Sequence, residues 1–214
     1  AAFSCAETSL SSIRTDGREG PTGVDPGCNV ARRGFMTWAT LGLAACAGGP
    51  PRPAAPTTRE LPAGWDEFRL PGKRSTRYTA LRYDGIDVIQ AEADASASML
   101  RRQVRIDPTE LGRVEFSWRV ASLIAGADLT DREASDSPAR LALAFGGDAT
   151  RLPERTRVMF DLAQALTGEA PPYATLMYVW DNKVACETVI HSRRSDRIRK
   201  IVVESGTQNT GSWR

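Results

Sequence analysis

Short runs in which hydrophobic and polar residues alternate constrain the fold of this chain more than any other feature. In residues 114–120 the hydrophobic positions are Val114, Phe116, Trp118 and Val120, and polar residues separate them. A period of two places one face of a β-strand in a core and the other face in water. This run therefore predicts a half-buried strand.

Six further runs, rich in β-branched, aromatic or aliphatic residues, also predict strands: 76–83, 86–93, 100–106, 141–145, 176–180 and 200–204. Asp84-Gly85 lies between the first two of these and favours a tight hairpin turn. One helix is predicted at 157–167, where Val158, Leu162, Ala165 and Leu166 share a face and Gly168 can cap the end.

Many short strands and one short helix predict an all-β fold, an antiparallel β-sandwich or jelly roll. Strands and helices do not alternate along the chain. A Rossmann-type or (βα)8-barrel enzyme is therefore not expected.

The composition of the N-terminal part is typical of a targeting segment rather than of a folded domain. Residues 1–30 are small, polar and rich in Gly and Pro, and the chain begins with Ala1. We expect this stretch to be disordered or a spurious extension.

Residues 31–46 resemble a bacterial export signal. Arg32 and Arg33 precede an apolar run, 35–45, of about a dozen residues, whereas a bilayer span needs about 20. The paired arginines resemble the twin-arginine signal, and Leu-Ala-Ala-Cys at 43–46 resembles the lipobox, whose cysteine carries the lipid. The pattern predicts export and lipidation at Cys46. A short buried helix, an ordinary cleaved signal and an uncleaved anchor remain as alternatives.

The segment that follows is suited to a tether. Residues 47–60 contain several prolines and cannot build a core, so we expect them to link the lipid to a domain at 61–214. The expected location is the periplasm or the cell surface, with the membrane contacted through the lipid anchor. The net charge is only +2, so nucleic-acid binding is not expected.

The cysteines favour neither a zinc site nor a disulfide. Cys5, Cys28, Cys46 and Cys186 form no Cys-x-x-Cys pair, and we expect no metal and no cofactor. Cleavage before Cys46 would leave only Cys46 and Cys186. With Cys46 lipidated, no intramolecular disulfide is expected, and Cys186 is predicted to be a small buried residue.

Two groups of residues are candidates for ligand binding. Trp180 is followed by Asp181 and Asn182 at a predicted strand end, where an indole and two polar side chains could meet a sugar. Asp136 and Arg140 lie beside the acidic loop 126–138, which also contains Asp128, Asp131 and Glu133. That loop suggests either Ca²⁺ binding or a solvated turn in which Asp136 pairs with Arg140.

No arrangement predicts catalysis, and we assign no catalytic residue. There is no Gly-x-Ser-x-Gly motif, and the only histidine, His191, is expected to be exposed in an arginine-rich stretch. A glycosidase needs a pair of carboxylates, and Glu115 and Glu204 could in principle form one. The distance between them does not follow from the sequence. The arginines at 101–105 and 193–199 suggest a wet strand face or an anion site.

Five blocks, in order, resemble one protein family. They are Ala-Glu-Ala-Asp-Ala-Ser-Ala-Ser at 91–98, Phe-Ser-Trp-Arg-Val at 116–120, Asp-Ser-Pro-Ala-Arg-Leu-Ala-Leu-Ala-Phe at 136–145, Tyr-Ala-Thr-Leu-Met-Tyr-Val-Trp at 173–180 and Ile-Val-Val-Glu-Ser-Gly at 201–206. Together they resemble the bacterial "domain of unknown function 3047", from about residue 63 onward. The resemblance implies an exported β-sandwich similar to galactose-binding and jelly-roll modules, and it implies no activity. It also implies a further C-terminal region with a closing strand, so we expect the domain to be incomplete at its C-terminus.

These observations favour a non-catalytic, lipid-anchored β-sandwich that binds a glycan or an envelope protein. The alternatives are a hydrolase of cell-envelope polysaccharide and a structural envelope protein that docks on another protein. A large exposed apolar patch would favour docking.

Overall fold

The computed structural model describes residues 4–9, 57–83, 85–107, 109, 112, 114–192 and 195–214. Strands dominate this part of the chain. In chain order they are β1 (Ser4–Ser9), β2 (Thr57–Arg59), β3 (Trp65–Arg69), β4 (Arg77–Tyr83), β5 (Ile86–Ala93), β6 (Ser98–Arg102), β7 (Ser117–Val120), β8 (Arg140–Phe145), β9 (Ala174–Asp181), β10 (Val189–His191) and β11 (Ile198–Ser205). A 3₁₀ turn (Ala149–Arg151) and one α-helix, α1 (Glu154–Thr167), lie between β8 and β9.

The first sheet has the strand order β2-β4-β5-β1-β7, with every neighbouring pair antiparallel. The C-terminal segment pairs with the other side of β7. Trp118 and Arg214 exchange two backbone hydrogen bonds of 2.9 Å, and the N–H of Gly211 donates to the carbonyl of Val120 at 2.7 Å. Both sides of β7 are therefore paired.

The second sheet has the order β10-β11-β9-β8. Here β9 and β11 run parallel, whereas β8 and β10 pair antiparallel with their neighbours. This parallel pair is a local departure from the predicted antiparallel pattern, because the chain crosses from β9 to β11 through the β10 region. β3 and β6 form a separate two-stranded antiparallel sheet.

The core lies where the two larger sheets face each other. Trp118 and Val120 of β7 are buried with Trp180 of β9 and Ala139. The two tryptophan rings are 6.2 Å apart between centroids and tilted by 47°, within the range of favourable aromatic pairs. A second cluster contains Leu129, Val179 and Val202. The predicted all-β, sandwich-like fold class is confirmed.

The predicted hairpin is also confirmed. β4 and β5 pair in register from Arg77 opposite Glu92 to Tyr83 opposite Ile86. Gly85 has φ of +82°, a conformation that favours glycine. The Asp84-Gly85 signal thus identified the turn.

Other elements differ from the sequence-based expectation. Ser4–Ser9 lie within the stretch expected to be disordered, yet they form β1 inside the first sheet. Thr57–Arg59, at the end of the predicted tether, form β2. The remainder of 1–56, including the export signal with Arg32, Arg33 and Cys46, lies outside the described residues.

Helix α1 begins after Pro153, three residues earlier than predicted, and it ends at Gly168 as predicted. Gly168 has φ of +81°, and its N–H donates to the carbonyl of Gln164 at 2.8 Å. This geometry is a left-handed C-cap. No residue of α1 is buried. Within the described ranges, no helix is long and apolar enough to cross a bilayer.

Candidate functional site

The residues proposed for ligand binding come together at one end of the second sheet. Because β8 and β9 are antiparallel, the start of β8 at Arg140 lies beside the end of β9. The N–H of Trp180 donates to the carbonyl of Ala139 at 3.1 Å. The Ser137 hydroxyl donates to the carbonyl of Trp180 at 2.6 Å.

Trp180 is not available to a ligand. Its side chain is 0% exposed, packs on Trp118 and donates its Nε1–H to the carbonyl of Gly206 at 3.0 Å. The expectation that it lines a binding mouth is wrong, because the residue occupies the inner face of β9. A buried indole is stabilised by such a hydrogen bond.

Asp181 is buried, and its carboxylate organises the following loop. Oδ1 accepts the N–H groups of Lys183 at 2.8 Å and Val184 at 2.7 Å, while Oδ2 accepts the N–H of Leu129 at 3.3 Å. Three backbone donors occupy its acceptor positions and satisfy the buried charge. Asp181 therefore fastens two loops together instead of facing solvent.

Asn182 also joins two segments. Its Nδ2 donates to the carbonyl of Ile124 at 2.7 Å. Its Oδ1 is buried, and it has no hydrogen-bond partner among the residues that the structure describes. With Asp181, it ties the end of β9 to the 123–129 loop, so the pair holds the loop in place.

Asp136 and Arg140 pair with each other at the surface. Asp136 also accepts the N–H of Ser137 at 2.8 Å. These contacts are those of the predicted solvated turn, and they lead the chain into β8. The guanidinium of Arg140 is thus partly neutralised by a neighbour four residues away.

The acidic loop is stabilised internally. Asp128 accepts the N–H of Thr130 at 2.9 Å and pairs with Nζ of Lys183 at 2.7 Å, and these contacts hold the pKa of its carboxyl well below the usual range. Asp131 accepts the N–H of Glu133 at 2.9 Å. In the described part of the chain, no three His, Cys, Asp or Glu side chains are grouped to hold a metal ion. The contacts of Asp128 and Asp131 are those of hydrogen-bonded turns within the loop.

One buried polar cluster was missed by the sequence reasoning. Glu204 of β11 is buried, and it accepts hydrogen bonds from Nε of Arg214 at 3.0 Å and from Nδ2 of Asn209 at 2.9 Å. The partners are five and ten residues away, and no local pattern announces them. Glu204 thus holds the C-terminal segment against β11, whereas Glu115 is exposed.

The arginine clusters are divided among several structural contacts. Arg101 makes a two-pronged ion pair with Glu169 and lies 4.5 Å from the ring centroid of Phe68. Arg197 lies 4.1 Å from the ring centroid of Tyr173. Arg193 and Arg194 lie outside the described residues. His191 is exposed, as predicted, at the end of β10.

Cys186 differs from the expectation of an isolated buried thiol. It is half-buried and disulfide-bonded. The partner side chain lies outside the described part of the structure. Processing before Cys46 would remove Cys5 and Cys28, and lipidation would occupy Cys46. The disulfide and the processed, lipidated chain therefore exclude each other within one molecule.

The most unusual surface is on α1. Four large apolar side chains of this helix are exposed: Val158, Met159, Leu162 and Leu166. Leu166 is 70% exposed and Val158 is 60% exposed. Three other residues of α1 are half-buried: Thr156, Phe160 and Ala163. The sequence predicted that Val158, Leu162 and Leu166 share a face, but not that this face is left uncovered. We call these four side chains the α1 apolar face.

Comparison with known proteins gives a family and no function. No curated protein matches the chain, and no solved structure matches it. A family model, described as a protein of unknown function (DUF3047), matches residues 63–214 and so covers more than half of the sequence. This range contains the domain built from β3 to β11 and α1. The chain therefore belongs to the DUF3047 family of proteins of unknown function.

Proposed function

We propose that this protein is an exported, lipid-anchored, non-catalytic module that binds another protein of the cell envelope through the α1 apolar face. The observation that carries the proposal is the exposure of that face, combined with structural roles for the residues first considered as ligands. Export and anchoring rest on Arg32, Arg33 and Cys46 in their sequence context.

The spacing of the α1 apolar face fits recognition by a groove. Val158, Leu162 and Leu166 are four residues apart and form one row on the helix. Amphipathic helices that dock into hydrophobic grooves use anchors at this spacing. Exposure of apolar surface to water is unfavourable by about 25 cal/mol for each Å². Burial of the α1 apolar face against a partner would therefore supply a driving force for binding.

The charges beside the row favour a protein partner over a lipid surface. Glu154, Arg157 and Asp161 lie on the polar side of α1, so that side is not basic. Helices that lie on anionic membranes are rich in Lys and Arg there. A rim of mixed sign around an apolar centre is the usual composition of a protein–protein interface. We therefore expect a partner with an apolar groove flanked by charges of both signs.

Glycan binding and polysaccharide hydrolysis are less well supported. The tryptophans Trp118 and Trp180 are in the core and offer no stacking surface. Glu204 is held by Arg214 and Asn209, and Asp181 by backbone N–H groups. The proposal of a docking module needs none of these side chains.

Site-specific photo-crosslinking tests the proposal in cells. A photoreactive amino acid replaces Leu162 in the full chain, and a matched variant carries it at Gln164, which is exposed on the polar side of the same helix. We expect a discrete protein adduct from position 162 and none from 164. The crosslinked protein, once identified and purified, should bind the wild type at least about 10-fold more tightly than Leu166→Asp.

Two results would contradict the proposal. One is crosslinking of position 162 to phospholipid only, which would assign α1 to the membrane surface. The other is equal binding of the purified partner to wild type and Leu166→Asp.

A further inference from the structure

Helix α1 has little packing of its own to fix its direction. None of its residues is buried, and three of them, Thr156, Phe160 and Ala163, are half-buried. Burial of apolar side chains against the rest of a protein supplies most of the stability of a helix in a folded chain. The orientation of α1 therefore depends strongly on the contacts at its two ends.

The chain is fixed on both sides of α1. On the N-terminal side, Leu152 is buried just before the helix begins. On the C-terminal side, the N–H of Tyr173 donates to the carbonyl of Phe145 at 2.9 Å. The Tyr173 ring lies against Gly147, where a Cβ would overlap it, and the guanidinium of Arg197 lies 4.1 Å from the ring centroid. These contacts fix the base of the excursion from β8 to β9, but Tyr173 lies well past the end of the helix.

The end of α1 itself is held by a two-pronged ion pair. Nη1 and Nη2 of Arg101 donate to the two carboxylate oxygens of Glu169 at 2.6 and 2.5 Å. Glu169 directly follows Gly168, the left-handed cap of the helix. A fork of two hydrogen bonds fixes direction as well as distance, which a single hydrogen bond from an ammonium group does not. The pair therefore restrains the angle of α1 as well as its position.

Arg101 is itself held in place. Its guanidinium carbon lies 4.5 Å from the ring centroid of Phe68, within the range of a favourable cation–π contact. Arg101 belongs to β6, and β6 is tied to the first sheet next to β4. The Tyr78 hydroxyl donates to the carbonyl of Ser98 at 2.9 Å, and Oγ of Ser98 accepts the N–H of Thr76 at 3.0 Å. The end of α1 is thereby connected to the first sheet through the two-stranded sheet of β3 and β6.

We propose that Arg101 is the positioning residue of the α1 apolar face, and that it holds the helix in the orientation that the envelope partner recognises. The partner rests on the proposed function, whereas the orientation can be measured without it. A helix that is already oriented avoids the ordering cost of association. When only a fraction of the molecules has the competent orientation, the apparent affinity falls by that fraction. Arg101 acts through Glu169, and the proposal requires no contact between Arg101 and the partner.

Distance measurements test the positioning role in the full chain without a partner. Spin labels carried by noncanonical amino acids replace Gln164 on α1 and Ala142, which is exposed on β8. Arg101→Ala is compared with the matched control Arg69→Ala, which removes the ion pair of Arg69 with Glu67 on the neighbouring strand β3. Exposed ion pairs of this kind add little to stability, so both variants should stay folded.

We expect a narrow distance distribution in the labelled parent and in Arg69→Ala. In Arg101→Ala the distribution should be about two-fold wider, because the helix then populates several orientations. The exchanged pair, Arg101→Glu with Glu169→Arg, should restore the narrow distribution. A distribution in Arg101→Ala as narrow as that of the parent overturns the proposal, and so does an exchanged pair as broad as Arg101→Ala. Should Arg101→Ala fail to fold by circular dichroism, the exchanged pair decides: a narrow distribution supports the positioning role and a broad one refutes it.

Binding kinetics then distinguish positioning from direct contact. With the partner purified after crosslinking at position 162, Arg101→Ala should lower the association rate constant about 5-fold and leave the dissociation rate constant unchanged, because the bound helix is already oriented. Faster dissociation with unchanged association would show that Arg101 touches the partner, and it would overturn the positioning role. Failure of the docking proposal leaves the distance measurement valid. Failure of the distance measurement, in turn, leaves the α1 apolar face as the proposed binding surface.

Discussion

At the scale of single residues, the polar side chains that first suggested a binding site stabilise the fold. The sequence placed Trp180, Asp181 and Asn182 correctly at the end of a strand. It could not reveal that the indole points into the core or that Asp181 accepts three backbone N–H groups, because those donors come from segments up to 52 residues away. Asp136 and Arg140 are four residues apart, so their pairing was predictable.

Asp181→Ala should destabilise the protein strongly. The change leaves buried N–H donors of the loop without an acceptor, at a cost of about 3 kcal/mol in the free energy of unfolding. Asp136→Ala is the matched control, since its ion pair is exposed and should contribute less than about 1 kcal/mol. Urea denaturation of both variants measures the difference. Similar losses in the two variants would show that Asp181 does not have the structural role described.

The contribution of Asp128 should depend on pH. Its ion pair with Lys183 and its hydrogen bonds to Thr130 lower the pKa of the carboxyl from the usual value of 3.8. A group with a depressed pKa in the folded state stabilises the protein above its unfolded pKa, and this stability is lost as the pH falls through the folded pKa.

Comparison with Asp128→Asn isolates this charge, because the amide oxygen can still accept from Thr130. The wild type should be more stable than Asp128→Asn at about pH 6, and the difference should shrink below about pH 3. Urea denaturation at the two pH values provides the measurement. A difference that stays constant or grows on acidification would contradict the assignment.

At the scale of elements, alternation and turn chemistry predicted much of the sandwich. The 114–120 run contains β7, the 141–145 run matches β8, and Asp84-Gly85 marks the turn between β4 and β5. The pairing of strands distant in the chain is set by tertiary packing, so the parallel neighbours β9 and β11 could not be inferred. β1 has no periodic pattern at all, and only its neighbours give it a strand conformation.

Helix α1 leads to a prediction that separates stability from binding. Since Leu162 and Leu166 are exposed, Leu162→Asp and Leu166→Gln should each change the free energy of unfolding by less than about 0.5 kcal/mol. Leu152→Ala, a buried position just before α1, should lower it by about 3 kcal/mol.

Urea denaturation of the three variants checks this prediction. A large loss of stability in Leu162→Asp would show that the α1 apolar face is covered within the folded chain. The face would then no longer be available for docking.

At the scale of the whole molecule, the predicted export signal and the first sheet are incompatible in their use of the N-terminal residues. The signal predicts that these residues are removed, whereas the sheet includes them as β1. Cleavage of the predicted export signal before Cys46 would remove residues 1–45, whereas β1 needs Ser4–Ser9 to remain. The disulfide of Cys186 would create the same conflict, because the proposed processing and lipidation would use up the other cysteines. The unprocessed and processed chains should therefore differ in the first sheet and at Cys186.

Lipidation of Cys46 is the most direct test of the central claim that this is an anchored envelope protein. Cells expressing wild type, Cys46→Ala or Cys28→Ala are grown with a radiolabelled fatty acid, and the protein is isolated. Cys28→Ala is the matched control, because Cys28 lies outside the lipobox-like sequence. We predict label in the wild type and in Cys28→Ala, and none in Cys46→Ala. An unlabelled wild type, or label that persists in Cys46→Ala, would contradict the lipid-anchored account.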